Sequence, residues 1–101
     1  MPGDIEHFLR GSIRHGLVQV RGTARALARI EPSSVCRRQY AEAIVEARRG
    51  ERELAACRAA TGHGRATHRG PCDRAVLALQ LANMRLGEGL WCATFRSPKG
   101  R

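Results

Sequence analysis

Arginine carries nearly all the positive charge of this chain: of its 18 basic residues only Lys99 is lysine. A guanidinium is planar, permanently charged and forked, so it binds phosphate or guanine bidentately, as an ammonium cannot. The placement is uneven. Arg10, Arg14, Arg21, Arg25, Arg29, Arg37 and Arg38 face a single acid, Glu31, within one segment, and that segment holds two thirds of the net charge of +9. Solvated helical faces usually mix signs, as Glu42, Glu46, Arg48, Arg49, Glu51, Arg52 and Glu53 do further along. A one-sign run points instead to a phosphate-facing surface.

The other reactive side chains make weaker patterns. Cys36, Cys57, Cys72 and Cys92 form no CxxC pair, so neither a thioredoxin site nor a zinc ribbon is indicated. With no secretory signal visible, free buried thiols are the expectation. Cys57, His63, His68 and Cys72 surround a glycine-rich stretch and are weak zinc candidates, but their spacings match no zinc-finger signature. No metal or other cofactor is expected. Gly62-His63-Gly64 lacks the lysine and hydroxyl of a phosphate-binding loop. No nucleophile motif is present, and Asp73 and Glu88 are the acids nearest a plausible cleft, so no enzymatic activity is expected.

Composition narrows the class. A chain of 101 residues is one domain. Apolar residues at 43% are too many for a simply disordered chain, and no run approaches a membrane span. Aromatics at 4% are too few for a base-stacking platform. The expectation is a small cytoplasmic protein, without a membrane partner, whose ligand is a polyanion.

The elements that must position these residues read as all-α, with four or five helices. Ile5, Phe8, Leu9 and Ile13 recur at helical spacing from Asp4 to His15, with Gly16 placed as a C-cap. Leu17 to Gly22 reads as a link. Thr23 to Arg29 reads as a short second helix capped by Thr23. Pro32 can open a third helix, which runs from about Ser33 to Arg49, with Gly50 as break or cap. Cys36, Tyr40, Ala43, Ala47, Gly50, Leu54 and Cys57 step by 4-3-4-3-4-3, a seam facing a partner helix. Thr61 to Pro71 reads as a loop. Asp73 caps a last helix to about Leu86, whose apolar Val76, Leu77, Leu79, Leu81, Met84 and Leu86 suit a central helix or a dimer interface. Gly87 and Gly89 end it, and 90–95 return as a fold-back or short strand.

A helix-turn-helix needs a small residue in its first helix, apolar residues pinning the crossing, and a basic outer face on the second. Ala24, then Leu27, Ile30 and Val35, then Ser33, Ser34, Arg37 and Arg38 meet those needs. The stretch from Leu9 to Arg38 resembles the helix-turn-helix of Fis-like and resolvase-like DNA-binding proteins. The resemblance lies in His15-Gly16-Leu17-Val18, Thr23-Ala24-Arg25-Ala26-Leu27 and Ile30-Glu31-Pro32-Ser33-Ser34-Val35-Cys36-Arg37-Arg38. Ala28-Arg29 stand where the family usually has one glycine, which makes the turn one residue longer. The resemblance covers about 30 residues and implies DNA binding, with the helix from Ser33 in the major groove.

The sequence therefore predicts a single domain over 1–101. A helix-turn-helix unit spans 4–49, a helical continuation 50–60, a Gly/His loop 61–71, a C-terminal helix and return 72–95, and a basic tail 96–101. The expected function is a sequence-specific DNA-binding transcriptional regulator of bacterial, plasmid or phage type. Ser33, Ser34, Arg37 and Arg38 would contact bases and phosphates, and Arg21, Thr23 and Arg25 the flanking backbone. Homodimerisation through Val76–Leu86 would present two half-sites. The alternative is a small helical inhibitor or adaptor on an acidic protein surface.

Overall fold

The computed structural model describes residues 2–61 and 69–95, with side chains described over 9–59 and 70–95. Among these residues the chain is all-helical, in three elements: α1 (Pro2–Ile30), α2 (Ser34–Thr61) and α3 (Arg69–Phe95).

The first helix is unbroken, so the expected link at Leu17–Gly22 and the separate helix from Thr23 are corrected. Ile13, Leu17, Val20, Ala24 and Leu27 step by 4-3-4-3, and that stripe runs straight through the expected break. Leu17 and Val20 are buried, so packing holds Gly16 and Gly22 in a helix against their low propensity. Thr23 is consequently an exposed mid-helix residue and caps nothing.

The turn comes where expected. Ser33 ends it as the N-cap of α2: its Oγ accepts the Cys36 N–H at 3.3 Å. The nearly buried Glu31 carboxylate accepts the Ser33 N–H at 3.0 Å. Arg37 Nη1 donates to the Glu31 carbonyl at 2.8 Å, tying the first turn of α2 back to the end of α1. Pro32 lies in this turn and not inside a helix.

All seven residues of the 4-3-4-3-4-3 seam on α2 are buried. Gly50 does not interrupt the helix. It marks the closest approach of the three helices, where an added Cβ would lie 2.5 Å from Leu17 Cδ2 and 3.0 Å from Ala78 Cβ. The third helix begins at Arg69, so Pro71 sits in its first turn, where a missing N–H costs nothing. Asp73 is therefore inside the helix, not its cap. Gly87 and Gly89 do not end it, and 90–95 continue as helix. Gly89 is kept free of a side chain by the Tyr40 ring, which occupies the space of a Cβ.

The helices pack up-down-up. Val20 and Ala24 of α1, Tyr40, Ala43 and Ala47 of α2, and Ala82 of α3 form one core cluster. Leu17, Leu54, Cys57 and Ala75 form a second. Val20 and Ala24 meet Tyr40 to Ala47 while Leu17 meets Leu54 and Cys57, so α1 and α2 run alongside each other as a long antiparallel hairpin. The described residues measure 56 × 20 × 17 Å.

Free thiols are overturned. Cys36 is bonded to Cys92 and Cys57 to Cys72, so the two bridges staple α2 to α3 at opposite ends of the bundle. The core is otherwise built largely of alanine, and small side chains bring helix backbones close while burying little apolar area. Cross-links compensate for that in small domains.

Candidate nucleic-acid interface

The surface of this bundle is sorted by charge. At 100° per residue, Arg10, Arg14, Arg21 and Arg25 fall within about 60° of one another on α1, with Arg29 at the edge of the same stripe. They border α2, because Arg21 reaches across: its Nε lies 2.7 Å from Glu51 Oε2 and its Nη2 3.5 Å from Oε1. On α2, Arg37 and Arg48 project within about 60° of Glu51, and Arg52 points outward beside them, about 100° from it. The two helices thus present one composite arginine face. Glu51 is its acid, and Arg21 satisfies it.

The remaining acids of α2 turn the other way. Glu42, Glu46 and Glu53 lie within about 40° of one another, and all three are paired. Arg85 of α3 meets Glu42 at 3.5 Å and Arg74 of α3 meets Glu53 at 3.0 Å, while Arg49 meets Glu46 at 3.3 Å. Arg85 also contacts Glu88 at 3.0 Å, and these acids hold its guanidinium above its ordinary pKa, the Glu88 hydrogen bond being the largest cause. Acids and their partners therefore occupy the α2/α3 side. Among the described residues, no hydrogen bond or ion pair engages Arg14, Arg25, Arg29, Arg38, Arg48 or Arg52.

The residues expected to touch DNA are divided between structural and free roles. Arg21 is half-buried and committed to Glu51. Ser33 is committed as a cap and Arg37 to the Glu31 carbonyl. Arg25 lies on the composite face, and Ser34 and Arg38 are exposed at the turn end of the hairpin. Thr23 projects from α1 well away from the arginine stripe. Arg14 and Arg29, part of the one-sign run but not named as contacts, join the face, as do Arg48 and Arg52, which had read as part of a mixed-sign solvated face. The signal for Arg14 is the i, i+4, i+11, i+15 spacing of Arg10, Arg14, Arg21 and Arg25, legible only once α1 is one helix.

For the weak zinc set, Cys57 and Cys72 are joined to each other, so neither sulfur is a thiolate available to metal. His63 and His68 lie outside the described residues, as does the tail 96–101. No described helix is long and apolar enough to cross a membrane. Comparison of the chain with protein-family models, with curated proteins and with solved structures finds no match.

Proposed function

We propose that this protein binds double-stranded DNA through the arginine face of the α1/α2 hairpin. The observation that carries this reading is the sorting of charge: Glu42, Glu46 and Glu53 lie on the α3 side of α2 and are paired there, while arginines without partners line the other side, where Arg21 takes up Glu51. Arg10 to Arg29 span about 28 Å along α1, roughly eight base pairs of duplex. A surface two helices wide lies across a groove and meets phosphates. Backbone contact of this kind gives affinity without much base readout.

The narrower reading is a regulator that inserts the helix from Ser33 into the major groove. Its support is Ser34 and Arg38, exposed at the free end of the hairpin. Against it stand Ser33 and Arg37, whose side chains are already used in the turn. The two disulfides fit oxidising surroundings better than a reducing cytoplasm. The protein-binding alternative draws its support from the exposed apolar face of α3, where Leu77, Met84 and Trp91 are all more than half exposed.

Anisotropy titration of a labelled duplex of about 20 base pairs tests the proposal. If about six phosphates are neutralised, affinity falls about 10³-fold between about 50 and 200 mM salt. Replacing Arg14, Arg25, Arg48 and Arg52 together by alanine should flatten that slope by about four units of charge. Unchanged binding by this variant, with the helical circular dichroism intact, would remove the hairpin face as the site.

A further inference from the structure

A stripe along the outward side of α3 carries no charge, and Glu88, paired with Arg85, borders it. Leu77, Met84 and Trp91 recur every seven residues, with Gln80, Gly87 and Thr94 three positions after each. The three large residues are 52%, 51% and 66% exposed. Gln80, Gly87 and Thr94 are exposed too, and an added Cβ at Gly87 would meet nothing within 4 Å. This heptad seam faces away from the core, which α3 contacts through Ala75, Ala78, Ala82 and Cys92. It also extends beyond Leu86, the end expected from the sequence, because the helix continues.

We infer that this seam binds a second copy of the chain, α3 against α3, antiparallel. The seam is complementary to itself. Turned about a two-fold axis between Arg85 and Leu86, Leu77 falls opposite Thr94 of the second copy, Met84 opposite Gly87, and Trp91 opposite Gln80. Every large side chain meets a smaller or uncharged polar one, and each pairing recurs with the copies exchanged, as an isologous interface requires. Gly87 supplies the hollow for Met84, and the Gln80 amide offers the Trp91 indole N–H an acceptor. Trp91 enters already stacked on Phe95, with ring centroids 4.8 Å apart.

Charge and area agree with this occupant. A basic chain repels its copy, so a dimer needs a contact free of arginine, and this seam combines that with large exposed apolar side chains. The seam is about 30 Å long. It offers on the order of 600 Å² per copy, at the lower end of specific interfaces. The α1/α2 face lies on the opposite side of the bundle, so the two arginine faces end up back to back, 180° apart. Such a dimer holds two duplexes together instead of reading adjacent half-sites on one; that consequence alone rests on the DNA-binding reading.

Sedimentation equilibrium of the oxidised chain from about 1 to 100 μM tests the pairing in the absence of DNA. The expected result is a concentration-dependent rise from 11.1 kDa to twice that mass. A blue shift of emission from Trp91, the chain's single tryptophan, should accompany it. Gly87→Glu has room in the monomer and improves helix propensity, so it should keep the fold and weaken the dimer at least tenfold. A wild-type chain that is monomeric throughout, or a Gly87→Glu chain that dimerises as well as wild type, overturns the inference. Either result leaves duplex binding by the monomer open.

Discussion

Tyr40 shows how one residue can tie a core, a turn and a pH range together. Its ring fills the space beside Gly89 and is buried. Burial first, and the nearby Glu31 carboxylate second, raise its pKa above the ordinary phenol value. A raised folded-state pKa means that folding stability is complete below the unfolded value of about 10 and is lost as pH rises through the folded one. The denaturation midpoint should therefore hold steady to about pH 10 and then drop. Tyr40→Phe should flatten the drop, and absorbance titration reads the phenol directly because this is the chain's one tyrosine. Gly50 makes a second point at this scale. A Cβ there must displace Leu17 and press on Ala78, so Gly50→Ala should cost about 1–3 kcal/mol of overpacking. About 1 kcal/mol of improved helix propensity would offset part of it. Urea unfolding gives the net sign; a stabilised variant would mean that α1 shifts freely.

At the scale of the element, periodicity was legible and punctuation misled. The α2 seam was readable residue by residue, because 4-3 spacing has one meaning in a helix. Gly16, Gly50, Gly87 and Gly89 looked like ends and Gly22 like part of a link, and all are interior. Gly50 and Gly89 are there because a neighbouring side chain occupies the Cβ position, and no single-chain pattern reveals such an approach. The cysteines did carry a signal that was missed. Cys36 and Cys57 are 21 apart, Cys72 and Cys92 are 20 apart, and both observed pairs centre near residue 64. Nested pairs with a common centre are what an antiparallel hairpin produces. The bridges close chain separations of 56 and 15 residues. In the chain-entropy account these contribute about 4 and 3 kcal/mol. The Cys36→Ser/Cys92→Ser variant should accordingly melt below the Cys57→Ser/Cys72→Ser variant, and both below wild type. The reverse order by calorimetry would show that the inner bridge supports more of the native packing than its loop length implies.

Over the whole molecule, charge is arranged in a way that stability alone does not favour. Arginine excess was plain in the sequence, but the composite face was not, because it needs α1 continuous and α2 beside it. Paired charges at the α2/α3 side are held at 3.0–3.5 Å, while Arg14, Arg25, Arg48 and Arg52 stand unpaired on the α1/α2 side. Like charges left near each other destabilise a compact state, and salt screens the effect within a Debye length of about 8–10 Å. Arg14→Ala/Arg25→Ala/Arg48→Ala/Arg52→Ala should therefore raise the melting temperature by about 3 °C at low salt, although four side chains have been removed. At about 0.5 M salt the variant and wild type should converge. Duplex binding at low salt should fall in the same variant. A gain in stability coupled to a loss of binding is the mark of groups retained for a partner. A lower melting temperature at low salt would instead assign these arginines to the fold, through packing of their stems on the hairpin.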